Sequence, residues 1–147
     1  MEKVGEVVVV HGGISPQVLS QQRSIEAINT MARPFYDQSF SETIPAETDI
    51  LFDDYSPFWY RGYFMEPRAT QAQVDSVLSF YGGSRIVVGH TIVKEILPLY
   101  GSKVIAIDVN VHNGDGEALL IENNQYYRVN SKGKRWNLGR IWFPLSP

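Results

Sequence analysis

The hydrophobic pattern of the chain predicts two short buried strands, each of which is followed by a histidine. Val7 to Val10 is an unbroken run of β-branched residues, and Ile86 to Val88 forms a second one. Continuous apolar runs of this length are typical of strands that are covered on both faces, as in a parallel sheet. His11 follows the first run, and Gly89 and His90 follow the second. If the two strands share a sheet, their imidazoles come together at one of its edges.

Apolar residues at helical spacing lie between these two strands. From Pro16 to about Ala32 they predict one amphipathic helix, and Pro45 precedes a short predicted helix over 46–53. Thr70 and Gln73 form a capping box, after which apolar residues at spacings of three and four continue to Tyr81. This predicts a third helix immediately before the second buried strand.

The remainder of the chain predicts further strands. Lys103 to Asp108 is expected to form a strand, and residues 93–100 a short helix that Pro98 ends or distorts. Ala118 to Val129 has the pattern of a hairpin that turns at Asn123 and Asn124, and residues 134–138 add an edge strand. Residues 35–45 are expected to form a surface loop, and the tail 141–145 to pack back onto the domain. The alternation of strands and helices predicts an α/β (α+β) fold in which residues 1–147 form a single domain.

Composition limits the classes of partner. The chain has 147 residues, 44% of them hydrophobic, and a formal net charge of −3, so that neither nucleic acid nor an anionic membrane surface is expected as its main partner. It contains no cysteine, which excludes disulfides, thiol catalysis and thiolate metal ligands within these residues. No apolar run approaches the roughly 20 residues of a membrane span, and the charged first six residues lack the apolar region of a secretion signal. The compartment stays open, with the cytoplasm as the default.

The turn after the first strand combines features that favour a bound ligand. His11 is followed by two glycines, which allow close approach of the backbone, and Ser15 and Pro16 are typical of a helix N-cap and first helical position. Anions are favoured near such a helix terminus. Taken alone, His11 could equally be a loop histidine bonded to backbone. Two imidazoles at one sheet edge, however, are good ligands for first-row divalent metals.

Arg61 is a second candidate, because it lies among five aromatic residues within the segment 58–64. One interpretation is a cation–π contact of the guanidinium with a Trp or Tyr ring. The other is a phosphate clamp, since the planar guanidinium can meet two phosphoryl oxygens at once. The local sequence leaves both interpretations open.

Three blocks together resemble one enzyme family. His-Gly-Gly-Ile-Ser-Pro from His11, Trp-Tyr-Arg-Gly around Arg61 and Gly-His-Thr around His90 resemble, in this order, the phosphoprotein phosphatase branch of the calcineurin-like metallophosphoesterases. The form of the second block is closest to the bacterial Shewanella-like serine/threonine phosphatases. The resemblance implies that His11 and His90 bind one metal ion and that Arg61 binds the substrate phosphate. It also implies the C-terminal half of a two-sheet β-sandwich flanked by helices.

The N-terminal blocks of that family are absent from this sequence, which implies that the chain alone is inactive. In the intact enzyme the resemblance implies a dinuclear centre of manganese, or of iron or zinc, whose bound hydroxide hydrolyses phosphate monoesters. The implied substrates are phosphorylated proteins and peptides or small phosphoesters, with dinucleoside polyphosphates as a second possibility. The alternative is a non-catalytic module that binds an anion or a partner. In either case the chain is expected to self-associate through apolar surface and open strand edges, as a homo-oligomer.

Overall fold

The computed structural model describes residues 1–37, 45–114 and 116–138. Strands β1 to β8 are Glu2–Val4, Val7–Val10, Arg85–Val88, Leu97–Leu99, Val104–Ala106, Glu117–Glu122, Gln125–Asn130 and Arg135–Asn137. Helices α1 to α4 are Pro16–Ser20, Ile25–Ala32, Ala46–Asp49 and Gln71–Tyr81, with short 3-10 helices at Arg33–Phe35 and Val111–Asn113. Most of the expected loop 35–45 and the whole tail 141–145 lie outside the described residues. In the part of the chain that the structure describes, no helix is long and apolar enough to span a membrane.

The larger of two sheets contains both strands that lead to the histidines. Its five strands lie in the order β1-β2-β3-β5-β4; β2, β3 and β5 run parallel, while β1 and β4 pair antiparallel at the edges. The α/β class expected from the sequence is therefore confirmed, with a mixed five-stranded sheet and helices. The second sheet has the order β6-β7-β8 and is wholly antiparallel. That residues 1–147 form one domain stays a prediction.

Each face of the larger sheet contributes to its own hydrophobic cluster. Val8, Ile86 and Val104 share one face and pack against the helices, where they are less than 1% exposed. Val87 and Ile105 share the opposite face and pack with Tyr126 of β7 and Leu138 beyond β8. The smaller sheet thus covers part of the face that the helices leave open. The cover is incomplete, because Val9 is 37% exposed, and the expectation that β2 is buried on both faces is wrong at this position.

The sequence pattern predicts α4 and the hairpin correctly. Thr70 and Gln73 form both hydrogen bonds of the capping box, and Gly82 ends α4 in the left-handed conformation, with φ of 62°. Asn123 and Asn124 also have positive φ, as a tight hairpin turn requires, and connect β6 to β7. The edge strand expected over 134–138 is present as β8.

Two predicted helices differ from the observed elements. The helix expected over 16–32 is divided into α1 and α2, because Gln22 adopts positive φ and the side chain of Ser24 caps α2 through the amide of Ala27. The short helix expected over 93–100 is wrong. Residues 97–99 form the edge strand β4 instead, in which Pro98 lies opposite Ile105. An edge strand tolerates a residue without an amide proton better than a helix interior does.

Candidate functional site

The two histidines meet at the carboxyl end of the parallel strands. Val10 of β2 lies opposite Val88 of β3, and the next amide beyond β3, that of Gly89, donates to the carbonyl of His11 over 2.8 Å. This register places the ring centroids of His11 and His90 5.0 Å apart. The expectation that the sheet brings two imidazoles to one edge is therefore fulfilled in geometry. His11 is exposed, whereas His90 is half-buried and adopts positive φ, at 60°.

Close backbone packing at the first turn holds the segment that carries Arg61. The amide of Gly12 donates to the carbonyl of Pro57 over 2.7 Å, and a Cβ atom on Gly12 would lie only 2.8 Å from the carbonyl oxygen of Phe58. A Cβ atom on Gly13 would come within 2.9 Å of the rings of both Tyr60 and Tyr63. Real side chains do not fit at such distances. The two glycines are therefore explained by contact with residues 57–63, which fixes that segment against the histidine edge.

Arg61 extends from this segment toward His90. Its Nη1 donates to the hydroxyl of Thr91 over 3.3 Å and to the carbonyl of His90 over 3.5 Å. The guanidinium thus lies beside the second histidine. Cation–π contacts among residues 1–37, 45–114 and 116–138 are made by Arg85, Arg128 and Lys134, so the alternative interpretation of Arg61 is not supported.

A pocket of about 590 Å³ opens next to the guanidinium. Arg61 and His90 both line it, together with the exposed aromatic side chains of Tyr55 and Trp59. The ring of Trp59 meets that of His90 edge to face, with centroids 5.1 Å apart. The pocket is large enough for a small organic phosphate. Arg61 and His90 lie beside its aromatic walls, and Arg68, Asp54 and Glu66 also line it.

The surroundings of His90 favour its neutral form. Burial is the main cause that lowers the pKa of His90 below its usual value, and the nearby charge of Arg61 and the His11 ring lower it further, while Asp108 acts in the opposite direction. The Nε2 atom of His90 is buried and has no hydrogen-bond partner among the described residues. A neutral imidazole nitrogen without a partner retains the capacity to donate or to accept one hydrogen bond.

Asp108 is the residue of this edge that the sequence argument missed. Asp108 was expected only as the last residue of a strand. That strand, β5, lies next to β3 in the sheet. The Cβ atom of Asp108 is 4.0 Å from the position that a Cβ on Gly89 would take. The signal was available in the sequence, because a third parallel strand ends at the same edge as the two that carry histidines.

The described residues do not form the expected metal centre. Among residues 1–37, 45–114 and 116–138, no group of three or more His, Cys, Asp or Glu side chains is placed to hold a metal ion. Two imidazoles are fewer ligands than a protein normally uses to hold a first-row divalent ion.

Comparison with known proteins relates this chain to phosphatases. No protein-family model and no curated protein gives a significant match. Solved structures of phosphatases do match, with a TM-score of 0.82 and 38% sequence identity over 90% of this chain. One is described as the cold-active protein-tyrosine phosphatase of a psychrophilic Shewanella species, and another as a new structure of cold-active protein tyrosine phosphatase. The chain spans about 40% of the length of each.

These matches correct the family expected from the three sequence blocks. The solved structures that resemble the chain are described as protein-tyrosine phosphatases, which contradicts the placement among calcineurin-like metallophosphoesterases with serine/threonine specificity. The metallophosphoesterase sandwich and the dinuclear centre of manganese, iron or zinc were implied by that placement, and both expectations are corrected with it. A phosphorylated substrate remains compatible with the matched structures.

Proposed function

We propose that this chain forms the phosphate-binding part of a phosphatase that acts on phosphate monoesters. The observation that carries the proposal is the position of Arg61, whose guanidinium lies beside His90 at the wall of a pocket. The likeness to phosphatase structures supports the same conclusion. Because the chain spans about 40% of those structures, the proposal assigns it phosphate binding as a part of the whole enzyme.

Arg61 is the residue proposed to hold the phosphoryl group. Its hydrogen bonds to His90 and Thr91 both use Nη1, so that, among the described residues, Nη2 and Nε remain for the oxygens of a ligand. Two N–H groups of one guanidinium match two oxygens of a phosphate in a bidentate pair. The contacts to His90 and Thr91 fix Nη1 of this side chain, which lines the pocket.

His11 and His90 are proposed to complete the anion site as hydrogen-bonding groups. Their rings lie 5.0 Å apart, and the lowered pKa of His90 keeps that ring neutral at neutral pH. The neutral ring of His90 offers one N–H donor and one acceptor nitrogen. A ring in this position can exchange a proton with the substrate or with an attacking water. A cysteinyl-phosphate intermediate is not available from this chain, which has no cysteine.

The proposed substrate class is an aryl phosphate such as phosphotyrosine. The matched structures are described as protein-tyrosine phosphatases. The pocket beside Arg61 has aromatic walls, which suit a substrate whose phosphate is attached to a ring. Phosphorylated proteins or peptides are the partners that follow from this substrate.

Titration of the purified chain with phenyl phosphate tests the proposal. We expect saturable binding that Arg61→Gln weakens by roughly 10-fold to 100-fold, because charge-assisted hydrogen bonds are lost. Arg135→Gln is the matched control, since it removes the same charge from an exposed pair with Glu122 on the smaller sheet. Equal affinities of wild type and Arg61→Gln would contradict the proposal.

A non-catalytic anion-binding module is the second candidate, and the limited overlap with the matched structures favours it for the isolated chain. Hydrolysis of p-nitrophenyl phosphate separates the two functions. Turnover that is lost in Arg61→Gln would show that the chain is catalytic by itself. Binding of phenyl phosphate without turnover would assign binding alone to these residues.

A further inference from the structure

Exposed apolar side chains are concentrated at the pocket that contains Arg61. Tyr55, Trp59 and Met65 are 48%, 49% and 56% exposed, and all three line this pocket. Exposure of large apolar side chains to water is unfavourable, and a bound apolar group that covers them would make binding more favourable. These three side chains line the same pocket as Arg61, which indicates a ligand with an apolar part next to the anionic part that Arg61 would bind.

Among the three exposed apolar side chains, that of Trp59 is held in place beside the proposed phosphate site at Arg61 and His90. Its amide donates to the side-chain oxygen of Ser56 over 3.2 Å, and Ser56 is fully buried. Its ring meets the His90 ring edge to face, and the carbonyl of His90 accepts from Arg61. The indole is thereby held beside the proposed phosphate site while about half of its surface stays free.

We propose that Trp59 is the residue that selects aryl phosphates over alkyl phosphates, by packing against the ring that carries the phosphate. This inference rests on the proposed function, since it takes Arg61 as the phosphate ligand. In an aryl phosphate the ring begins one oxygen away from phosphorus, and its apolar faces and edge can contact a neighbouring indole. The phosphate of serine is attached to a single methylene group, which offers little surface for that contact. Tyr55 supplies a second aromatic wall of the same pocket.

The test compares three ligands in wild type, Trp59→Ala and Trp59→Phe. Inorganic phosphate, O-phosphoserine and phenyl phosphate are titrated into each protein under the same conditions. We expect Trp59→Ala to weaken phenyl phosphate binding by roughly threefold to tenfold, while the affinity for the other two ligands changes less than about twofold. Trp59→Phe retains an aromatic wall and is expected to restore most of the loss. Phe80→Ala is the control, because Phe80 is an exposed aromatic residue outside the pocket.

The outcomes separate this inference from the proposed function. An unchanged affinity of Trp59→Ala for phenyl phosphate would overturn the role of Trp59 if wild type still binds phosphate through Arg61. An equal loss of affinity for all three ligands would also overturn it. Trp59 would then contribute to binding of the phosphate group, which all three share, and not to binding of the aromatic ring. Absence of phosphate binding in wild type would overturn the proposed function itself and the inference with it. Thermal unfolding of each variant verifies that the fold is retained.

Discussion

At the scale of single residues, the site depends on a contact between distant parts of the sequence. Arg61 and His90 are separated by 28 intervening residues, yet the guanidinium donates to the carbonyl of His90. The sequence identified His11, Arg61 and His90 as candidates, and the structure brings all three to one edge of the sheet. Asp108 was missed although a third parallel strand ends at this edge, and the Thr91 hydroxyl was missed because no local pattern marks its contact with Arg61.

Removal of the Arg61 charge is expected to raise the pKa of His90. In the folded protein that pKa is lowered mainly by burial and then by the positive charge of Arg61, which disfavours the imidazolium. Arg61→Gln relieves the second cause and leaves the first, so the pKa should move upward toward its ordinary value. Titration of the histidine ring resonances by NMR measures the shift.

Arg135→Gln is the control for this titration, because Arg135 pairs with Glu122 on the smaller sheet. It should leave the pKa of His90 where wild type has it. A decrease in Arg61→Gln, or no change, would show that the guanidinium does not act on this ring.

At the scale of elements, local signals predicted some structures, and tertiary pairing decided the others. Thr70, Gln73 and Gly82 define α4 through hydrogen bonds within a few residues, so the sequence pattern was sufficient. The strand at 97–99 exists because β5 pairs with it, and apolar residues with helical spacing nearby misled the prediction. The division between α1 and α2 depends on a positive φ at Gln22, a residue type that seldom signals a turn.

The cap of α4 is expected to make a measurable contribution to stability. Thr70→Ala removes the hydroxyl that accepts from the amide of Gln73, and it should lower the free energy of unfolding by about 1 kcal/mol. Thr30→Ala is the matched control at an exposed position within α2, where the change should be within about 0.5 kcal/mol. Urea unfolding followed by circular dichroism gives both values. Equal effects of the two substitutions would contradict the role assigned to the cap.

At the scale of the whole molecule, one face of the larger sheet is only partly covered. Val4 lies opposite Val7, which places Val4 and Val9 on the same face. They are 64% and 37% exposed, and β1 is an edge strand. The smaller sheet covers Val87 and Ile105 on that face but leaves these two valines open. Exposed apolar surface beside an unpaired strand edge favours association.

We therefore expect the chain to self-associate. Light scattering over a range of concentrations should show a mean mass that rises above that of the 16.6 kDa monomer. Val9→Thr keeps the shape of the side chain, makes it polar and should reduce association, whereas Ile121→Thr on the smaller sheet should not. A monomer at every concentration would count against the prediction.

A crystal structure of this chain with phenylphosphonate, an analogue that cannot be hydrolysed at an ester bond, would show whether a phosphate binds beside Arg61. We expect phosphonate oxygens within hydrogen-bond distance of the Arg61 guanidinium and of the His11 or His90 ring, with the phenyl group against Trp59. A ligand bound elsewhere, with the pocket beside Arg61 empty, would contradict the assignment of this edge of the sheet as a phosphate site.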